Sequence, residues 1–228
     1  MLSAIAIVPS APVMVPELAS SAAAETEDLR RSALAAAKDL PGRWIAVGVG
    51  PADGVYGPES VGTFAGYGVD VRVSLSAGGA AAPRALPLCA LVAGWLRGLA
   101  RPQAHVEVHS FSADHDADTA VGLGRQLRAQ IDAVSEDVGV LVVADGANTL
   151  TAAAPGGYDP ESEPAQAALD DALSAGDTAA LAALSDAAVG RVAYQVLAGL
   201  VGTGPRSATE LYRGAPYGVG YFVGVWTP

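Results

Sequence analysis

Residues 112–118 read Ser-Ala-Asp-His-Asp-Ala-Asp, which sets His115 among Asp114, Asp116 and Asp118 just ahead of a helical pattern. Neighbouring carboxylates favour the charged imidazole, so the segment could handle protons or hold a divalent cation. The same residues also describe a capped helix start with an acidic, solvated turn. A second group, His105-Val106-Glu107-Val108-His109, would share one face of a strand. Its ends stand about 13 Å apart in an extended chain, whereas two nitrogens on one metal sit roughly 4 Å apart. One of these histidines could share an ion with Glu107; the whole trio reads better as a polar strand edge.

Asp145, Asn148 and Thr149 follow the most hydrophobic run of the chain in Val143-Ala-Asp-Gly-Ala-Asn-Thr-Leu150. Polar residues in this position close a turn or contact a ligand. The glycines of Val47-Gly-Val-Gly-Pro51 lack the full dinucleotide-binding spacing and suit close backbone packing better. No serine occupies a nucleophile elbow and no phosphate-binding Walker sequence occurs. Lys38 is the single lysine, which disfavours Schiff-base chemistry. Cys89 is the single cysteine; no internal disulfide or thiolate zinc cluster can form, and its apolar setting predicts a buried structural thiol.

These residues need a scaffold, and the apolar patterning predicts one. Buried strands are expected at 2–8, 43–50 and 138–145, and alternating strands at 69–75 and 105–111. Helices are expected at 19–40, 83–100, 116–137, 163–175 and 178–200, with a hairpin of strands near 207–213 and 217–226. Strands alternating with helices imply a single-domain α/β/α sandwich over 1–228, with a mainly parallel central sheet and a C-terminal antiparallel hairpin. Three strands run out into loops rich in proline, glycine and small polar residues, after Val8, Val49 and Val143. Ligands in such sheets sit at the carboxyl ends of the strands.

Apolar residues make up 51% of the chain and charged residues 16%, the balance of a chain with a large core. Twenty-four acidic against 13 basic residues give a net charge of −11, which argues against nucleic-acid binding. The first residues carry no basic segment and meet a proline early, and no apolar run approaches membrane-spanning length. A soluble cytoplasmic protein is expected.

Several segments, in order, resemble those of the class III extradiol ring-cleavage dioxygenase B subunit and the related Memo-like proteins. Ala6-Ile-Val-Pro-Ser-Ala-Pro-Val-Met-Val-Pro-Glu-Leu18 is similar to the family's first strand and its Pro-His-Pro-Pro loop. Val47-Gly-Val-Gly-Pro-Ala-Asp-Gly54 is similar to a strand followed by Ser-Pro-His-Gly. Ser112 to Leu127 is similar to the segment in which a histidine precedes a helix. The run from Val140 to Leu150, with the later Gly157-Tyr-Asp-Pro-Glu161 and Ser174-Ala-Gly-Asp-Thr178, is similar to Ser-Gly-Asp-Leu-Ser-His and the helices after it.

The resemblance implies an Fe(II) site of two histidines and a carboxylate, with a further histidine moving protons. Here the first loop reads Pro9-Ser10-Ala11-Pro12, the second imidazole position falls at Ala52, and the proton-handling histidine falls near Asn148 or Thr149. His115 alone persists, and Glu210 is the one acid available near the C-terminus. Alanine offers no ligand atom and a serine hydroxyl is a poor donor to Fe(II). A non-catalytic scaffold without iron is therefore expected. It would bind a small molecule or a protein through a pocket of Ser10, Ala52, Asp53, Asp145, Asn148 and Thr149, with His115 as the residue for any remaining catalysis. The alternative is a divergent metal-dependent enzyme in which His115, with Asp114, Asp116 or Glu210, holds Mn²⁺ or Mg²⁺. A third possibility is a homo-oligomer joined along the terminal hairpin.

Overall fold

The computed structural model describes residues 1–79 and 81–228 and, of Ser21 and Ala22, the backbone. The strands are β1 (Leu2–Val8), β2 (Arg43–Gly50), β3 (Gly54–Tyr56), β4 (Val61–Thr63), β5 (Arg72–Ser74), β6 (His105–Ser112), β7 (Val138–Val143), β8 (Ser207–Gly214) and β9 (Tyr221–Thr227). The helices are α1 (Pro16–Ala19), α2 (Glu27–Lys38), α3 (Leu88–Ala100), α4 (Ala117–Asp132), α5 (Ser162–Ala175), α6 (Thr178–Ala182) and α7 (Arg191–Val201).

Seven strands form the central sheet in the order β3-β6-β2-β7-β1-β9-β8. Its middle, β6-β2-β7-β1, is parallel, because each of these strands is followed by a helix that carries the chain back. The hairpin β8–β9 adds to β1 antiparallel, as expected, and β3 closes the opposite edge against β6. All six residues of β7 are buried, since a central strand with helices on both sides has no wet face.

The two cores follow the twofold alternation of the strands. Ala6, Val8, Ala46, Leu141 and Val143 pack under α2 and α3. Ile5, Ile7, Ile45, Val47, Val140 and Val142 face α4, α5 and α7. Close approach explains Gly48: a Cβ there would lie 2.3 Å from the Cβ of Cys89. Cys89 is buried and its thiol is pushed up to about 12 by that burial, so it packs as a small apolar group.

Three expected elements differ from those observed. The segment 69–75 is strand only over β5, which pairs with β4 in a separate two-stranded sheet. Helix α3, Leu-Cys-Ala-Leu-Val-Ala-Gly-Trp-Leu at its start, is apolar almost all round and buried from Cys89 to Arg97. It needs cover on its outer side, and Val73 and Leu75 provide it. The helix expected at 19–40 begins only at Glu27, after Pro16 starts a short turn and Ser20 takes a positive φ of 48°. The helix expected at 178–200 breaks into α6 and α7, because Val189 and Gly190 give their N–H groups to Gly146 and Asp145 instead. Among the described residues no helix is long and apolar enough to cross a membrane.

Candidate functional site

Parallel pairing brings the loops after β1, β2, β6 and β7 to one edge of the sheet. Val8 lies opposite Val143 in register, and Ala144 N–H continues the ladder to Val8 C=O at 2.9 Å. The proline-rich loop and the loop after β7 therefore start side by side. Ser10 N–H donates to Asp145 Oδ1 at 2.7 Å. That bond joins two segments 135 residues apart and fixes the rigid first loop against the centre of the sheet.

Asp145 is closely surrounded by protein at the end of β7. Its carbonyl accepts from Gly190 N–H at 2.8 Å, and Gly146 exchanges backbone bonds with Gly220 and Val189. Oδ2 has no hydrogen-bond partner among the described residues, and the residue as a whole is half-buried. Loss of water around the carboxyl raises it to about 7, and the Ser10 N–H offsets this in part. The ring hydroxyls of Tyr194 and Tyr221 are both raised by burial and then by the Asp145 charge. Tyr194 Oη donates to Ala144 C=O at 2.9 Å, packing a neutral phenol beneath the loop.

A second pair occupies the same edge one strand further out. Gly50 pairs with Ser112, so the turns after β2 and β6 are adjacent. Asp53 accepts from Ser112 N–H at 2.7 Å, and His115 Nε2 lies 2.8 and 2.9 Å from its two oxygens. The Ser112 N–H, then His115, hold the Asp53 carboxyl below its ordinary value. The Asp53 side chain is 54% exposed, so water screens the pair. Asp53→Asn should cost less than about 1 kcal/mol in urea unfolding at pH 7; a larger loss would mean that the pair holds the two turns together.

The remaining expected site residues have structural duties. Asp116 accepts from Thr119 N–H at 2.8 Å and caps α4, and Asp114 faces Ser112 Oγ at 3.4 Å. Ala52 C=O accepts from Ser110 Oγ at 3.1 Å. Thr149 Oγ1 meets Ser162 Oγ at 2.6 Å, and the Asn148 carbonyl accepts from Gly156 N–H at 3.0 Å; both close the long turn after β7. Glu210 is a correction. It lies on β8, five strand spacings or ~24 Å from β6, bound to Arg213 and Ser174. The alternative set of His115, Asp114 and Glu210 therefore cannot meet around one ion. His109 pairs with Glu107 at 2.9 Å, and His105 stands exposed at the far end of β6.

Fe(II) does not fit the side chains at this edge. Its one imidazole, His115, is engaged by Asp53, and the first loop offers Asp145 a backbone N–H where a ligand side chain would be needed. Among the described residues, no three of His, Cys, Asp and Glu are placed to hold one metal ion. Two residues of the edge were not legible from the pattern. Gln166 on α5 accepts from Ala147 N–H at 2.8 Å and donates to Asp170 at 2.8 Å. Arg191 opens α7 and reaches Ala113 C=O at 3.0 Å. Both sit inside helical patterns where they read as ordinary surface residues; the Gly190-Arg191 start of α7 was hidden in a longer predicted helix.

The architecture defines an α/β/α sandwich with its candidate site at the carboxyl edge of a mainly parallel sheet. The same fold occurs in uncharacterized protein JW3007 from Escherichia coli K12, with a TM-score of 0.60 and 10% identity over 99% of this chain and 100% of that one. No family model and no curated protein matches the sequence.

Proposed function

We propose that this protein is a class III extradiol dioxygenase B subunit-like scaffold that no longer performs iron chemistry and binds a small molecule at the carboxyl edge of its sheet. The observation that carries this reading is the Ser10–Asp145 contact. A backbone N–H and a carboxylate occupy the place where the resemblance calls for an imidazole, and one oxygen of that carboxylate has no partner among the described residues. A carboxyl near 7 in such a place accepts a hydrogen bond or a cationic group from a ligand, and takes up a proton as readily. Asp53 and His115 line the same edge and add a second polar contact. The net charge of −11 fits a soluble protein of the cytoplasm.

Anaerobic reconstitution with ferrous salt, followed by metal analysis, should recover far less than one iron per chain. Catechol and protocatechuate should show no ring-cleavage absorbance. Stoichiometric iron with cleavage of either compound would reject the proposal.

A further inference from the structure

A cavity of about 520 Å³ opens at the carboxyl edge between the loop after β6 and the start of α7. It lies beyond the Ser10–Asp145 contact, and its volume falls within the range of small-ligand sites. Ala113, Ala188, Val189 and Val192 give it an apolar floor, while Arg191, Asp186 and Asp114 supply its polar groups.

The guanidinium of Arg191 is built in. Its NH2 donates to Ala113 C=O at 3.0 Å and its NH1 to Gln195 Oε1 at 2.9 Å, both neutral acceptors. Only 14% of the side chain is exposed. A third N–H, on Nε, faces Asp186 Oδ1 at 2.8 Å, and the Asp186 side chain is 94% exposed. So the cation is preorganised and nearly buried, while its counter-ion is a loose carboxylate in the loop between α6 and α7. With its carboxylate partner in solvent, such a pair contributes little to stability, and a guanidinium edge recognises any carboxylate. Gly190 gives α7 no side-chain cap, so the positive end of that helix adds to the same field.

We infer that the cavity binds a small monocarboxylate, whose carboxylate displaces Asp186 from Arg191 and whose hydrocarbon lies on the Ala113, Ala188, Val189 and Val192 floor. Asp186 acts as an internal stand-in that keeps the guanidinium paired when the cavity is empty. The negative net charge opposes entry only weakly, since screening in physiological salt acts over about 8 Å. Asp114 turns its carboxylate toward Ser112 Oγ at 3.4 Å, and Asp116, which also feels the Arg191 charge, is held by Thr119 N–H. This inference does not depend on the loss of iron chemistry: an iron-loaded enzyme could hold the same site.

Titration of the full chain with butanoate and hexanoate, followed by ¹H–¹⁵N NMR, tests it, with butanol and hexanol as uncharged controls. The acids should shift the amides of Ala113, Val189 and Arg191, and the alcohols should not. Asp186→Asn removes the competing anion and should tighten hexanoate binding about two- to fivefold, the worth of an exposed ion pair. Arg191→Lys should weaken it at least about tenfold. Equal binding of acids and alcohols, an unchanged or weaker affinity in Asp186→Asn, or no binding by either the wild type or Asp186→Asn would each overturn the inference. Asp186 is on the surface, so that variant remains informative if Arg191→Lys fails to fold.

Discussion

Asp145→Asn should make the protein more stable at pH 8, by about 2–4 kcal/mol, and by only about 1 kcal/mol at pH 4.5. In the folded chain the carboxyl is raised to about 7 by burial, whereas in the unfolded chain it titrates near 3.9. The folded state therefore holds its proton to higher pH. Below about 4 both states are protonated and nothing is lost; between about 4 and 7 only the unfolded state releases its proton, so stability falls as pH rises; above about 7 the penalty is complete. A carboxyl moved from about 4 to about 7 costs the fold about 4 kcal/mol, and partial access of water to the residue lowers that figure. Asparagine keeps an oxygen for the Ser10 N–H, so the contact survives while the buried charge disappears. Urea unfolding of both proteins at the two pH values checks this, with m-values expected to agree. A variant less stable than wild type at pH 8 would mean that the ionised carboxylate is held by donors other than the Ser10 N–H.

On the proposed reading, such a penalty at the carboxyl edge of the sheet is the cost of keeping a charged group ready for a ligand. A side chain that served only stability would be replaced by a neutral one at no loss to the Ser10 contact. A ligand that brings a positive or donating group to Oδ2 supplies the missing partner, and should bind more weakly to Asp145→Asn at neutral pH.

The parallel core was legible because its strands are short apolar runs bounded by proline and glycine, and their period and order leave few other folds. Residues 138–143 could hardly be anything but a central strand. What stayed hidden depended on contacts between distant segments. The β4–β5 pair exists because α3 has no polar side, which shows only when the helix is placed on the sheet. The gap between α6 and α7 exists because Gly146 and Asp145 recruit Val189 and Gly190, 43 or more residues away. The site was half legible for the same reason. Asp145 stands out by its place after the most hydrophobic strand, Ser10 by the resemblance of its loop, and His115 by its acidic setting. That His115 turns to Asp53, and that Glu210 turns to Arg213, follows from sheet order. No local pattern encodes it.

Gln166 shows how firmly the candidate site is tied to the rest of the molecule. Its amide lies between Gly146 and Gly220, where a Cβ on either would come within 2.1 Å of its Oε1. One end of the amide holds Ala147 N–H and the other holds the buried Asp170, whose carboxyl is raised to about 6, first of all by burial. Gln166→Leu keeps the volume but leaves an N–H without an acceptor and a carboxyl without its donor. Each buried group so orphaned costs about 1–3 kcal/mol, so the variant should lose about 2–5 kcal/mol in urea unfolding at pH 7. The double variant Gln166→Leu/Asp170→Leu should lose less than the sum of the single ones, because the second change removes the orphaned carboxyl. Hydrogen exchange should rise at Ala147 and Gly220, the amides on either side of the Gln166 carbonyl, and leave the amides of β2 unchanged. If exchange rose throughout the sheet instead, Gln166 would be a core residue like any other rather than the brace that keeps the Asp145 loop in place.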